Sequence, residues 1–211
     1  MDNAVKISRQ STALYAFARV VCTLPLIFFY KIKYKNRNSI KANGRTIICS
    51  NHVSVLDPLF LGIGQKRKLR FMAKAELFSN RFFAALIRSL GAFPIHRGVG
   101  DRQAVSVGEQ ILKDGGILGI FFEGKRSRNG EFLHPKSGAV MIAFQTDSPI
   151  VPACITAEKG LVKFWHKIRV SYGNPITAQD LGVVNGTPRE FRDATRILME
   201  KIEKLREEQQ F

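Results

Sequence analysis

Acidic side chains are scarce in this chain. Against 33 Lys and Arg it sets 17 Asp and Glu, for a formal net charge of +16 over 211 residues. Such an excess favours a polyanionic partner: a nucleic acid, an anionic bilayer or an acidic protein. Tryptophan occurs once and tyrosine four times beside 16 phenylalanines. That set suits a greasy surface better than a base-stacking platform. No aromatic-basic RNA motif or helix-turn-helix signature accompanies the charge, so no nucleic-acid partner is expected. A non-enzymatic nucleic-acid-binding module stays as the distant alternative. Cysteine is limited to Cys22, Cys49 and Cys154, odd in number, widely spaced and without a Cys-x-x-Cys pair. This excludes a disulfide framework and reads as three reduced, buried thiols in a protein facing the cytosol. The four histidines show no metal-ligand spacing, so no metal is expected. A Gly-x-Ser-x-Gly elbow is absent, which argues against a serine nucleophile of that kind. There is no internal repeat and no long linker.

Long apolar runs are also lacking. The best candidate, residues 13–30, is interrupted by Arg19 and Thr23 and contains Pro25. It is marginal for a full membrane span, which needs about 20 apolar residues. A signal peptide competes, given Lys6 and Arg9 upstream, but no small-residue cleavage site comes after Tyr30. That position leads instead into Lys31-Ile32-Lys33-Tyr34-Lys35-Asn36-Arg37, a basic, amphipathic tract. An apolar anchor joined to such a tract is a two-signal attachment, each cation contributing about 1 kcal/mol near an anionic leaflet. The expectation is a helix or broken helix pair lying in the bilayer interface, with an ordinary core helix as its rival. Residues 1–40 form this anchor and tract, and residues 41–211 the remaining domain.

The chain does have a globular composition, 45% hydrophobic and 24% charged, enough for one domain with a sizeable core. Short β-like runs alternate with helical ones. Strands are expected at 46–50, 69–73, 92–96, 117–122, 150–156 and 168–172. Helices are expected at 55–63, 76–90, 102–113 and 137–145, with a last one running to residue 208. Thr187-Pro188-Arg189-Glu190 opens that last helix with a cap and a first-turn proline. The alternation predicts an α/β fold with a largely parallel central sheet flanked by helices. Loops after the strands then converge at one edge.

Two of those loops carry chemistry. Asn51-His52-Val53-Ser54-Val55-Leu56-Asp57 sets an imidazole and a carboxylate five positions apart, directly after the run Ile47-Ile48-Cys49. A carboxylate that fixes a histidine's tautomer makes it a general base; the same spacing also fits a surface turn with a capping Asp. Phe121-Phe122-Glu123-Gly124-Lys125-Arg126-Ser127-Arg128 packs three cations and a hydroxyl beside a glycine. Arg presents a fork that matches phosphate oxygens, although a solvated basic hairpin with Asn129-Gly130 as its turn reads the same way.

Taken in order, the motifs resemble the glycerolipid acyltransferases of the 1-acyl-sn-glycerol-3-phosphate acyltransferase type. Asn51, His52 and Asp57 match Asn-His-x-x-x-x-Asp. Gly91, Phe93, Pro94, Ile95 and Arg97 match the second motif. Glu123, Gly124, Arg126 and Ser127 match Glu-Gly-Thr-Arg-Ser, and Val151 and Pro152 match the Val-Pro strand. The stretch Phe71-Met72-Ala73-Lys74-Ala75-Glu76-Leu77 is similar to the segment between the first two. Lys125 stands where Thr is usual, and His96 where Asp or Asn is common.

The resemblance implies acyl transfer from a thioester donor, acyl-CoA or acyl carrier protein, to the free hydroxyl of lysophosphatidic acid, with no further cofactor. It implies His52 as base and Asp57 as its orienting acid. Arg97, Lys125, Arg126 and Ser127 fall at the phosphate, Lys74 or backbone N–H groups at the oxyanion, and Asn51, Glu123 and Gly124 in loop support, Glu123 by pairing with an Arg. The two departures keep another lyso-lipid or an amino-acid-derived lipid open as acceptor. The expected location is the cytoplasmic face of the membrane, peripheral or monotopic.

Overall fold

A computed structural model describes residues 12–40, 43–95, 101–160 and 162–209. The described strands are β1 (Lys31–Lys35), β2 (Thr46–Ser50), β3 (Leu69–Lys74), β4 (Ala92–Ile95), β5 (Ile117–Phe121), β6 (Ile150–Ala157) and β7 (Lys167–Tyr172). They form one seven-stranded sheet in the order β1-β7-β6-β2-β5-β3-β4. All pairs are parallel except β6 with β7. The helices are α1 (Thr12–Phe29), α2 (Asp57–Ile63), α3 (Arg81–Ser89), α4 (Asp101–Lys113), α5 (Gly138–Thr146) and α6 (Pro188–Glu207). The α/β fold with a largely parallel sheet is thus the observed one.

The central strands are buried on both faces, which is why they read as continuous apolar runs. Ile47, Cys49, Leu118 and Cys154 face a core shared with α4, α5 and α6. Ile48, Ile117, Val151 and Ile155 face the opposite core, with Leu26 of α1 and Phe60 and Leu61 of α2. α6 begins with a full capping box, Thr187 and Glu190 satisfying each other's backbone N–H groups.

Three details differ from the sequence expectation. The basic tract after α1 contains a strand, β1, paired with β7 from Lys31↔Lys167 to Lys35↔Ser171. Its lysines alternate outward while Ile32 and Tyr34 are half-buried, and Lys35 forms an ion pair with Glu208 at 3.0 Å. Lysines on an edge strand also discourage further strand pairing. The single helix expected over 76–90 is interrupted. A short 3₁₀ helix (Ala75–Phe78) precedes α3, and the Asn80 side chain accepts the N–H groups of Phe82 and Phe83 to start the helix anew. Cys22 is only half-buried, whereas Cys49 and Cys154 are buried; all three are free thiols. Burial raises the thiol pKa values, that of Cys154 to about 12, so these groups stay neutral.

α1 is one helix carrying Pro25, not a broken pair. Ala18 and Leu26 are buried, and Arg19 donates to the carbonyls of Ile63 and Lys66. Its other side exposes Phe17, Val20, Val21, Leu24, Ile27 and Phe28, spaced as one helical stripe. Among the described residues no helix is long and apolar enough to cross a membrane.

Candidate active site

Parallel strands deliver their succeeding loops to one end of the sheet. β2 ends at Ser50, opposite Phe121 at the end of β5, so the two chemistry-bearing loops emerge side by side. Asn51 holds its loop to the neighbouring strand. Its side chain accepts from Ile155 N–H at 2.8 Å and donates to Ile155 C=O at 2.9 Å, continuing the β2–β6 ladder with an amide in place of backbone.

The next residue is His52, and its Nδ1 lies 2.8 Å from Asp57 Oδ2. The same oxygen accepts the backbone N–H groups of Val53 and Ser54, each at 2.7 Å. An oxygen receiving two backbone donors is an acceptor, so the ring donates through Nδ1 and leaves the Nε2 lone pair free. The side chain of Asp57 is wholly buried while that of His52 is 18% exposed, so only the imidazole can meet a substrate. α2 therefore starts at Asp57, not at Val55 as its sequence suggested. The turn before it is closed by this carboxylate, and Pro58 fits the first helical turn.

The His52 ring stacks on Phe121, centroids 4.0 Å apart and planes inclined by 15°. Phe121 in turn lies nearly parallel to Phe71 at 5.8 Å. The stack needs Gly119: a Cβ there would stand 2.1 Å from the Phe71 ring. Sequence reasoning missed Phe121 as a site residue. The available signal was its position, last on a strand that feeds the basic loop.

That loop is tied to the histidine, because Ser127 N–H donates to His52 C=O at 2.8 Å. Ser127 is buried, and its Oγ donates to Asn129 Oδ1 at 3.0 Å. Gly124 takes a φ of 68°, a left-handed turn that leaves Lys125 and Arg126 exposed. Glu123 is buried, and its oxygens find no side-chain partner among the described residues. It forms no ion pair with an Arg among the described residues, which do not include Arg97. Desolvation is the main cause that raises its pKa to about 7, with Asp57 adding to the rise and the nearby backbone of His52 and Leu133 offsetting part of it. Lys74 ends β3, exposed, at this same end of the sheet. Arg97 and His96 lie outside the described residues. No group of three His, Cys, Asp or Glu side chains that could hold a metal ion occurs among the described residues.

The acyltransferase family profile matches residues 31–156, more than half of the chain and all of this site. The chain belongs to the acyltransferase family. Among acyltransferases it is 28% identical over 177 residues to the 1-acyl-sn-glycerol-3-phosphate acyltransferase of Bacillus subtilis, covering 82% of this chain and 87% of that protein. It is 34% identical over 144 residues to the enzyme of the same name from Streptococcus pneumoniae, covering 66% of this chain and 53% of that one. The crystal structure of the 1-acyl-sn-glycerophosphate acyltransferase from Thermotoga maritima superposes with a TM-score of 0.66. The superposition covers 92% of this chain and 78% of that one, and at 23% identity it establishes the shared fold.

Proposed function

We propose that this acyltransferase moves a fatty acyl group from a thioester donor to the free hydroxyl of lysophosphatidic acid, giving phosphatidic acid. The observation that carries the reading is the His52–Asp57 pair at 2.8 Å, with the basic loop stitched to the carbonyl of the same histidine. In this mechanism His52 Nε2 removes the hydroxyl proton as the oxygen attacks the thioester carbonyl carbon. Asp57 stabilises the imidazolium that forms, and the face of Phe121 attracts the same cation. The tetrahedral intermediate collapses, the carbon–sulfur bond breaks, and the imidazolium returns its proton to the departing thiolate. The products are an ester and a thiol, and no acyl-enzyme is required.

Lys125 and Arg126, with Arg97 and the Ser127 region, would hold the acceptor phosphate and so set its hydroxyl beside the base. Orientation of this kind contributes up to roughly 7–11 kcal/mol in ideal cases. Lys74 is the side chain available for the oxyanion. Acyl-CoA and acyl carrier protein both suit the net charge of +16. The exposed stripe of α1 supports attachment to an anionic membrane surface, at its cytoplasmic face. A different lyso-lipid or an amino-acid-derived lipid remains the second acceptor class, since exposed Lys125 adds a charge where a hydroxyl is usual.

The test is turnover of labelled acyl-CoA and acyl carrier protein with a panel of lyso-lipids. His52→Ala should lose about 10³-fold in kcat while still unfolding cooperatively. Near-normal turnover in that variant sinks the base assignment, and preference for an acceptor without a phosphate sinks the substrate.

A further inference from the structure

We propose that the turn Phe164-Trp165, between β6 and β7, is a second lipid-inserting wedge that seats the His52 end of the sheet on an anionic bilayer. The inference rests on the interfacial reading above and adds an element to it. The exposed stripe of α1 does not stop at Phe28. Trp165 N–H donates to Phe29 C=O at 2.8 Å, and Lys31 N–H donates to His166 C=O at 3.3 Å, which fastens the turn to the end of α1. The Trp165 ring lies 5.7 Å from Phe28 and 5.8 Å from Phe29, and Phe164 lies 5.2 Å from Phe29. Despite these contacts Phe28, Phe164 and Trp165 are 68%, 63% and 59% exposed. So large an aromatic surface left in water marks an interaction site.

The backbone adds an independent sign. Trp165 has a φ of 68°, a region bulky side chains rarely adopt. Such strain at an exposed tryptophan points to a functional constraint on the turn.

The rim identifies the occupant. Lys31, Lys159, Lys163 and Lys167 are exposed around the turn, and the acid Glu158 among them pairs with Lys167 at 3.6 Å. Aromatic rings at the acyl boundary with ammonium groups among phosphates is the chemistry of an anionic leaflet. A second copy of this chain would bring the same positive rim and be repelled. β6 runs parallel to β2, so its turn leaves the sheet at the end where His52 sits. A lipid drawn from the bilayer beside this wedge meets that end and not the opposite one.

Trp165 is the sole tryptophan, so its emission reports this turn alone. The 211-residue chain is titrated with vesicles of equal phosphatidylglycerol and phosphatidylcholine, and pelleted in parallel. The expected result is a blue shift together with quenching by lipids brominated near the headgroup. Phe164→Glu should lower vesicle partitioning about tenfold and leave turnover of a short-chain, water-soluble acceptor intact. Pelleting with unshifted, unquenched emission overturns the wedge while leaving attachment through α1 standing. Failure to pellet at all removes the interfacial reading as well. Loss of soluble-acceptor turnover in Phe164→Glu with unchanged pelleting would make the turn part of the reaction site and overturn the wedge equally.

Discussion

Asp57 Oδ2 serves the imidazole and the backbone together, accepting from His52, Val53 and Ser54. Asp57→Asn keeps the shape but turns one side of the group into a donor. With the amide oxygen at the Oδ2 place all three donors keep an acceptor, but the negative charge is lost and the new NH₂ takes the buried Oδ1 place, where it has no partner. We expect kcat to fall about 10³-fold or more and urea unfolding to show a loss of roughly 1–3 kcal/mol; a variant with only one of the two effects would separate the roles. Glu123 poses a different problem. Its folded-state pKa of about 7 lies above the ordinary 4.5, so between those values the folded protein holds a proton the unfolded chain has released. Stability therefore falls as pH rises through that window, and the cost is complete above it. Glu123→Gln should be more stable than the parent near pH 8, on the order of 1–2 kcal/mol, with the gap closing near pH 4. A pH-independent difference in melting would refute this. At this scale the sequence displayed the His and Asp five positions apart, but not that backbone donors would hold the acid against the ring. It displayed Glu123 among cations, and proximity in sequence suggested an ion pair. The fold turns Lys125 and Arg126 outward and Glu123 inward, so neither of these two cations is its partner.

At the scale of elements, the site depends on how β2, β5 and β6 end. Asn51 replaces a backbone pair between β2 and β6. Asn51→Ala would leave the Ile155 N–H and C=O buried without partners, and we expect a loss of about 2–4 kcal/mol in chemical unfolding together with reduced kcat, because His52 is the next residue. Gly119→Val should displace Phe71 and through it Phe121, lowering kcat more than it alters acceptor KM; unchanged kinetics would show that the stack is ornamental. The central strands were legible because burial on two faces demands apolar runs. β1 was not. Lys-Ile-Lys-Tyr-Lys has the same alternation whether it lies on a surface or pairs at an edge, and only β7 beside it decides. The interruption at Asn80 was likewise hidden, because the apolar spacing of 76–90 continues across it while the cap acts locally.

For the whole molecule, charge and apolar exposure combine. The net charge of +16 acts over a Debye length, and the apolar stripe of α1 acts only on contact. Raising salt from about 50 to about 500 mM should weaken binding to anionic vesicles roughly tenfold or more and leave a residual that Leu24→Glu lowers further. Salt-independent pelleting would remove the electrostatic share. The sequence by itself determined the fold class and the family and marked the candidate reacting groups, because these depend on local periodicity and on short motifs whose members are neighbours in the chain. Only the tertiary structure decided which oxygen meets the ring, that Phe121 lies against it, and that Phe164 and Trp165 gather at the end of α1. Those arrangements depend on strand order and register, which bring together residues far apart in the chain and leave no periodic trace in either segment alone.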